Sequence, residues 1–306
     1  MITEPHALVI GEALTDIILS PAGNREYPGG SPMNVAVGLA RLGRPTTLLT
    51  WIGQDARGDA IKAHLAESGV ALAPGSDGAP HTSTAQATLD EHGAASYVFD
   101  LSWQVPAAGI GSAPIVLHAG SLAGVVEPGD RAVAQLFEAK LSGATLTYDP
   151  NVRPQIMGTP ELVRERIEHL VGLADVVKSS DEDLAWLYPG VAPELSARRW
   201  LDTGLALMVV TRGGEGAFAL VPGGERVDER PRPAQVVDTV GAGDSFMGGM
   251  IDALWRLDLL GRERREALYG LDGGAARQVL QRAGQVAAVT VSRAGANPPW
   301  ARELAG

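Results

Sequence analysis

The sequence contains no cysteine and only three lysines, Lys62, Lys140 and Lys178, among its 306 residues. The absence of cysteine excludes disulfide frameworks, thiolate zinc sites, iron–sulfur clusters and a cysteine nucleophile. Acidic residues outnumber basic residues by 36 to 25, and the formal net charge is −11. Because nucleic-acid contacts need clustered lysine and arginine, we expect no nucleic-acid partner.

Long hydrophobic runs are missing as well. No stretch approaches 18 consecutive apolar residues, and the first residues lack a basic segment followed by an apolar one. With three lysines, a polybasic membrane patch is also excluded. A composition of 45% hydrophobic and 20% charged residues is typical of globular domains. We therefore expect a soluble, cytoplasmic protein with no membrane partner.

Short, nearly continuous apolar runs alternate with helical patterns along most of the chain. Such runs predict strands that are covered on both faces. They are Ala7–Ile10, Thr46–Trp51, Ile115–Ala119, Thr145–Tyr148, Val176–Lys178 and Leu207–Thr211. Between them, Ser31 and Asp55 are predicted helix N-caps, and Gly43 and Gly69 are predicted helix ends. The alternation predicts an α/β fold with a doubly wound, mostly parallel central sheet flanked by helices.

Two segments interrupt this alternation, at Thr15–Pro28 and Thr84–Phe99. The second contains two alternating runs, with a hairpin turn predicted at Glu91–Gly93 or at His92 and Gly93. We interpret residues 12–28 and 82–106, approximately, as a small β-sheet that projects from a single domain (1–306) and acts as a lid. Its apolar alternation would expose a sheet edge, so we expect two lids to pair in a homodimer.

The segment Asp238–Asp244 precedes an amphipathic helix that includes Phe246, Met250 and Leu254. Small residues at a helix N-terminus let several backbone N–H groups converge on an anion, and the helix dipole adds to the attraction. Asp244 would lie in the first turn, where a weak carboxylate base suits phosphoryl transfer. The alternative is an ordinary helix start. Gly248 and Gly249 inside the helix indicate close approach of another backbone.

A second glycine-rich segment, Gly29-Gly30-Ser31-Pro32-Met33-Asn34, opens the helix that runs to Leu42. Two glycines allow a ligand to approach the backbone closely, and Asn34 can both donate and accept hydrogen bonds. With Asp16 upstream, the functional interpretation is a polyol site in which a carboxylate and an amide bind neighbouring hydroxyls. The alternative is a flexible turn with a capped helix.

These two segments resemble the two signatures of the ribokinase-like (PfkB) carbohydrate kinases. The resemblance covers nearly the whole chain and includes Gly11–Asp16, Asp149–Arg153 and Thr211–Gly216 in the expected order. It implies that Asp244 is the base that activates a sugar hydroxyl, and that the amides of the triplet Gly241, Ala242 and Gly243 hold the transferring phosphate.

The resemblance also implies binding residues for both substrates. The sugar-binding set is Asp16, Gly29, Gly30 and Asn34. Arg153 is placed with these substrate-binding residues and matches an arginine that such kinases bring to the phosphates, where a guanidinium suits the charge. The nucleotide-binding set is Ser180, Thr211, Gly213 and Gly216.

The chain departs from the family pattern where relatives carry an Asn-x-x-Glu motif that serves Mg²⁺ and phosphate positioning. Here Ser180 and Asp183 take those places, and the shorter Asp183 would reach Mg²⁺ through a water. Glu182 is a competing candidate. The resemblance further suggests activation by a monovalent cation such as K⁺, held near Asp238 and the loop Ser292–Gly295, although Val240 offers only its backbone.

The sugar itself is assigned by resemblance to bacterial fructokinases, carried by His118–Ala123 and Tyr148–Pro154. The predicted reaction transfers the ATP γ-phosphate to a primary hydroxyl of a ketohexose, in particular O6 of D-fructose. The alternatives are a 2-keto-3-deoxygluconate kinase, then a ribokinase or nucleoside kinase. An acid sugar would need an arginine or tyrosine from the lid; Tyr97 is present, but Val98–Val105 contains no arginine. Trp103 is a candidate for packing on the sugar or for a lid or dimer contact.

Two interpretations from other classes remain for comparison. A non-catalytic sugar-binding regulator on the same fold would not need Asp244 or the glycines that precede it. A phosphate-loop NTPase is excluded because no Gly-Lys pair occurs in the sequence. The Gly- and Pro-rich stretch Pro222–Pro233 is interpreted as a connection.

Overall fold

The computed structural model describes residues 4–20, 23–89, 95–106, 113–139 and 143–304. Its strands are β1 (Ala7–Ile10), β2 (Leu14–Leu19), β3 (Arg25–Gly29), β4 (Thr46–Leu49), β5 (Ala71–Leu72), β6 (Thr84–Leu89), β7 (Ala95–Asp100), β8 (Val116–Gly120), β9 (Thr145–Asp149), β10 (Val176–Ser180), β11 (Leu207–Thr211), β12 (Ala217–Leu220) and β13 (Arg226–Glu229). Its α-helices are α1 (Ser31–Arg41), α2 (Ala56–Glu67), α3 (Gly129–Glu138), α4 (Pro154–Met157), α5 (Pro160–Leu173), α6 (Asp181–Leu187), α7 (Pro193–Leu201), α8 (Ala242–Arg256), α9 (Arg265–Tyr269) and α10 (Gly273–Val291). None of these helices has the length and apolar character needed to cross a membrane.

The larger sheet has the strand order β13-β12-β11-β10-β9-β8-β1-β4-β5. All neighbouring strands in it are parallel except β12, which is antiparallel to both β11 and β13. The predicted doubly wound, mostly parallel sheet is therefore confirmed. The six predicted strands are present, with some ends shifted by one or two residues.

The prediction that Pro222–Pro233 is only a connection is wrong, because β13 lies within it. This strand forms the edge of the sheet and has only one apolar inward-facing residue, Val227, which is 2% exposed. Its other three residues are charged, and the guanidinium of Arg226 lies 4.3 Å from the centre of the Phe218 ring. A short edge strand of this composition carries too weak a hydrophobic pattern to be recognised from sequence.

Each face of the larger sheet is covered by helices, as the continuous apolar strands require. One core layer takes alternate strand residues such as Val9 and Val209 together with residues of α1, α2, α8 and α10. The other layer takes their neighbours, such as Leu8 and Met208, with residues of α3, α5, α6 and α7. The carboxyl ends of the parallel strands consequently lie between two helix layers, where a ligand site is expected.

The smaller sheet has the order β3-β2-β6-β7, and its central pair β2 and β6 is parallel. Its strands come from the two segments that interrupt the strand–helix alternation, so the predicted projecting sheet is confirmed. The predicted hairpin turn at residues 91–93 lies outside the described residues. Along one row of the sheet, Phe99, Ala85, Asp16 and Tyr27 are register partners and share a face.

Trp103 is buried within the chain, which favours neither packing on a sugar nor a contact with a second lid. Its ring is 3% exposed and packs against the backbone of Gly129, and its Nε1 donates a hydrogen bond to the carbonyl oxygen of Ala123 at 3.1 Å. Burial with a satisfied N–H makes it a core residue that joins the end of the lid segment to the start of α3.

Helix α8, which carries Asp244, packs between α1 and α10. A Cβ added at Gly249 would lie 2.7 Å from the Cα of Ala283 in α10, so the predicted close backbone approach is confirmed there. A Cβ added at Gly248 would lie at ordinary contact distances of 3.8–4.0 Å from backbone atoms of Val35 and Leu39 in α1. This packing fixes the N-terminus of α8 relative to the N-terminus of α1.

Candidate functional site

Asp244 lies in the first turn of α8, and only 6% of its surface is exposed. The hydroxyl of Ser31 donates a hydrogen bond to its Oδ1 at 2.7 Å, and the amide of Asn34 donates one to its Oδ2 at 2.8 Å. Both donors belong to the first turn of α1, so the N-termini of two helices converge on one carboxylate. Hydrogen bonds to a charged acceptor are short and directional, and together they fix the orientation of the Asp244 carboxylate.

The predicted N-cap role of Ser31 is wrong. Gly30, with a φ of 117°, is the N-cap of α1, and it forms no side-chain cap bond. Ser31 is already helical, and its hydroxyl is used on Asp244. Asn34 gives its amide donor to the same carboxylate, which leaves its carbonyl oxygen to accept from a hydroxyl. Its sugar-binding role stays a prediction, and a role in holding Asp244 is added to it.

The predicted anion hole lies in the backbone turn before α8. Gly241 is the N-cap in the left-handed conformation, with a φ of 72°, and an added Cβ would lie 2.5 Å from Cβ of Ala296. The N–H of Ala242 donates to the carbonyl oxygen of Thr239 at 3.2 Å. Among the described residues, the N–H groups of Gly241 and Gly243 form no hydrogen bond. A helix N-terminus with unused N–H groups is suited to binding a phosphate, and that role of the three residues stays a prediction.

Asp16 lies on the face of the smaller sheet that also carries Tyr27, and it closely approaches the end of β3. A Cβ added at Gly29 would lie 2.0 Å from Oδ2 of Asp16, so only glycine fits beside this carboxylate. Desolvation by the surrounding protein raises the pKa of Asp16 to about 6, and Arg153 acts in the opposite direction. The side chain is exposed to solvent, and water that reaches it weakens the desolvation.

Two residues at the ends of β8 and β9 adopt backbone conformations that are unusual for their side chains. Ser121 has a φ of 53° and Asn151 a φ of 40°. The strands are neighbours, with Gly120 opposite Asp149, so both residues lie at one edge of the sheet. Strained residues of this kind concentrate at binding sites. Arg153 lies two residues after Asn151, and its guanidinium donates to the side-chain and main-chain oxygens of Asn151.

Glu12 is a buried carboxyl group in this site that sequence analysis missed. It lies two residues after the end of β1 and is 7% exposed, and its Oε2 has no hydrogen-bond partner among the described residues. Burial raises the pKa of Glu12 to about 7; Ser121 and Arg153 lower it, and Asp244 raises it. An ionisable residue close to the end of a buried strand was the available signal, because that position lies at the carboxyl edge of the sheet.

The predicted nucleotide residues lie further along the same edge. Ser180 and Thr211 are register partners at the ends of β10 and β11. Gly213 and Gly216 follow with φ values of 49° and 90°, and an added Cβ at Gly216 would lie 2.2 Å from the carbonyl oxygen of Glu229. The four residues are therefore brought together, and their nucleotide-binding role stays a prediction.

Asp183 has a local structural role in addition to the predicted one. Its Oδ1 accepts a hydrogen bond from the N–H of Val152 at 3.0 Å, and its Oδ2 accepts one from the N–H of Ser180 at 3.1 Å. With the Ser180 hydroxyl bound to the N–H of Asp183, the pair forms a capping box at the start of α6. Among the described residues no cluster of three or more potential metal-ligating side chains occurs. Each oxygen of Asp183 keeps a second lone pair, which suits contact through a water.

Asp238 joins the two segments at which a monovalent cation is predicted. Its Oδ1 accepts from the N–H of Val240 at 3.0 Å, and its Oδ2 accepts from the N–H of Gly295 at 2.8 Å. These backbone hydrogen bonds lower the pKa of Asp238. The carboxylate thus holds the loop before Gly241 against the loop that follows α10.

Comparisons with known proteins identify relatives over the whole of this architecture. The family model described as pfkB family carbohydrate kinase matches residues 5–302. A fructokinase of Rhizobium leguminosarum bv. trifolii is 32% identical over 275 residues, which cover 85% of this chain and 82% of that protein. The crystal structure of a fructokinase with bound ATP from Xylella fastidiosa matches with a TM-score of 0.82 and 25% identity, over 98% of this chain and 97% of that one.

A second solved structure is a double mutant of fructokinase from Vibrio cholerae O395, in a fructose, ADP and potassium ion bound form. It matches with a TM-score of 0.75 and 25% identity, over 95% of this chain and 94% of that one.

Proposed function

The chain belongs to the pfkB family of carbohydrate kinases, and from this premise we propose that it is a fructokinase, which converts D-fructose and ATP to fructose 6-phosphate and ADP. The family membership and the fructokinase relatives make it an ATP-dependent sugar kinase. The observation that carries the proposal is the Asp244 carboxylate, held by Ser31 and Asn34 at the N-terminus of α8. A binding protein without catalysis would have no need of a carboxylate fixed in this way.

Asp244 is the base of the proposed reaction. Its carboxylate orients the O6 hydroxyl of fructose and accepts its proton as O6 attacks the γ-phosphorus of ATP. The O6–H bond breaks and the O6–P bond forms, while the bond from the γ-phosphorus to the bridging oxygen breaks and leaves ADP. The N–H groups of Gly241 and Gly243 would bind the oxygens of the transferring phosphoryl group, where negative charge must be stabilised.

Sugar recognition is assigned to the lid and to the start of α1. Asp16 would accept hydrogen bonds from sugar hydroxyls, and its close contact with Gly29 fixes where that carboxylate lies. The carbonyl oxygen of Asn34 would accept a further hydroxyl, and Gly30 allows the sugar to approach the backbone. The guanidinium of Arg153 would reach toward the phosphates from the end of β9.

Mg²⁺ would accompany ATP and neutralise charge on the phosphates. Protein sites for Mg²⁺ in phosphoryl transfer usually supply one or two carboxylates and leave the remaining positions to water and phosphate. Asp183 fits such a site through water, since each of its oxygens has one unused lone pair. K⁺ is proposed near Asp238 and the loop Ser292–Gly295, and the potassium ion of the Vibrio cholerae relative supports it.

We also propose that the protein acts as a cytoplasmic homodimer that pairs its lids. The exposed side chains of Tyr27 and Tyr97 support this proposal, with 47% and 48% of their surfaces accessible on the smaller sheet. Large exposed apolar groups on a sheet with an open edge favour association with a second sheet.

Release of ADP in the presence of Mg²⁺ and ATP tests the proposed function. The acceptors are fructose, tagatose, ribose, adenosine and 2-keto-3-deoxygluconate, with a reaction lacking acceptor as the control. We expect fructose to give the highest kcat/KM, and phosphorus NMR of the product to place the phosphate on O6. A preference for the keto-deoxy acid would overturn the assigned sugar. Sugar binding without turnover of any acceptor would overturn the catalytic assignment.

A further inference from the structure

Lys178 is a buried cation that the proposed reaction has not yet used. It lies in β10, directly after Val176 and Val177, and it is 2% exposed. Its Nζ donates to Oδ2 of Asp149 at 2.7 Å, and the two side chains are 3% and 1% exposed. An ammonium group in the interior is unfavourable unless it is paired, so a lysine at this position needs a specific reason.

The ammonium group of Lys178 points at the anion hole. A Cβ added at Gly243 would lie 3.2 Å from Nζ of Lys178, so the ammonium group faces the first turn of α8 from the side of the sheet. A side chain at Gly243 would press against this group. The glycine therefore has a second purpose besides backbone freedom, which is to let the cation approach the turn.

Asp149 is not the only carboxylate that acts on the Lys178 ammonium group. Burial lowers the pKa of Lys178, but the carboxylates of Asp149, Asp183 and Asp244 outweigh burial and raise it, so the side chain carries its charge. Asp149 keeps a buried Oδ1 without a hydrogen-bond partner among the described residues. The ion pair thus stands at the centre of a group of carboxylates, at the place where further negative charge would arrive with a phosphate.

We propose that Lys178 is a positioning residue for phosphoryl transfer: its fixed ammonium group lies behind Gly243 and stabilises negative charge on the phosphoryl group in the anion hole. The proposal rests on the proposed kinase function and extends it. Backbone N–H groups supply partial charges, and a full positive charge in a site shielded from water adds strongly to them. Asp149 then serves to hold the ammonium group in place.

The test separates this role from that of an ordinary buried ion pair. Lys178→Met alone leaves Asp149 buried without a partner and is expected to destabilise the fold. The decisive variant is therefore the double variant Lys178→Met with Asp149→Asn, which removes both charges together. Asp149→Asn alone keeps the cation, and Lys62→Met removes a partly exposed lysine that pairs with Asp59 on α2.

Two measurements are made on each variant. The first is calorimetric binding of ADP and of the non-hydrolysable ATP analogue AMP-PNP without sugar, which reports the interaction with the terminal phosphate. The second is kcat and KM with fructose. For the double variant we expect the preference for AMP-PNP over ADP to fall roughly tenfold, and kcat to fall roughly 100-fold with little change in the KM for fructose. Lys62→Met should retain both, and Asp149→Asn, which keeps the cation but removes the group that holds it in place, should lie between wild type and the double variant.

If the double variant has the same kcat and the same preference for AMP-PNP over ADP as wild type, the Lys178–Asp149 pair is only structural and the proposal is overturned. The binding measurement requires no sugar. A wild-type protein that phosphorylates no acceptor would therefore overturn the proposed function, while the loss or retention of the AMP-PNP preference would still decide the role of Lys178.

Discussion

Replacement of Glu12 by glutamine should make the protein more stable at neutral and alkaline pH. Glu12 is buried between β1 and the start of the lid, and its Oε2 lacks a hydrogen-bond partner among the described residues. Burial raises its pKa from 4.5 to about 7, despite the opposing effects of Ser121 and Arg153. The folded protein therefore holds a proton that the unfolded chain has already released.

The magnitude follows from this difference in pKa. Between pH 4.5 and about 7 the folded state binds more protons than the unfolded state, so the free energy of unfolding decreases as the pH rises. At 1.36 kcal/mol for each pH unit, the carboxylate costs about 3 kcal/mol above pH 7. Glutamine cannot ionise, so the Glu12→Gln variant avoids this cost, whereas below pH 4.5 both proteins carry a neutral side chain.

Urea denaturation between pH 4 and pH 8.5 measures the effect. The difference in the free energy of unfolding between Glu12→Gln and wild type should grow by about 3 kcal/mol as the pH rises, and level off above pH 7. Glu67→Gln, on the exposed side of α2, is the matched control and should show no such growth. A difference for Glu12→Gln that stays constant across this range would refute the reasoning, because it would mean that Glu12 ionises equally in both states.

Three further predictions concern packing, catalysis and assembly. Gly249→Ala should lower the free energy of unfolding by about 1–3 kcal/mol, because its Cβ would lie 2.7 Å from the Cα of Ala283, whereas Gly248→Ala has space and should be neutral or stabilising by up to about 1 kcal/mol. Equal effects in thermal denaturation would contradict this. Ser31→Ala should lower kcat roughly 10- to 100-fold with little change in the KM for fructose, since it removes a hydrogen bond to the Asp244 carboxylate; unchanged steady-state kinetics would contradict it. Sedimentation at several concentrations should show a dimer, and a monomer throughout would contradict lid pairing.

Much of the fold could be predicted because its strands are short, apolar and separated by helices with clear ends. Asp55 is an N-cap as predicted, since its side chain accepts a hydrogen bond from the N–H of Gly58. The smaller sheet could be predicted from the two segments that do not fit the alternation. The strand β13 could not, because an edge strand buries only one side chain and its charged residues resemble a loop.

The side-chain contacts within the site could not be predicted from the sequence. Ser31 lies 213 residues from Asp244 along the chain, and a local pattern assigns it a capping role that the tertiary contact replaces. Lys178 was placed in a predicted strand because Val176 and Val177 precede it. A lysine in a strand predicted to be buried was a signal of a functional charge that the sequence analysis did not use. In both cases the position in the chain could be read from the sequence, but the partner depends on how the helices and strands pack.

The most direct test of the account compares wild type with Asp244→Asn in the same assay of fructose-dependent ADP release with Mg²⁺ and ATP. Asparagine has nearly the same shape but cannot accept the proton of the sugar hydroxyl. We expect kcat to fall roughly 10²- to 10⁴-fold, while calorimetry shows fructose binding within a few-fold of wild type. Equal turnover by the two proteins would contradict the account, because it would remove Asp244 from the chemistry.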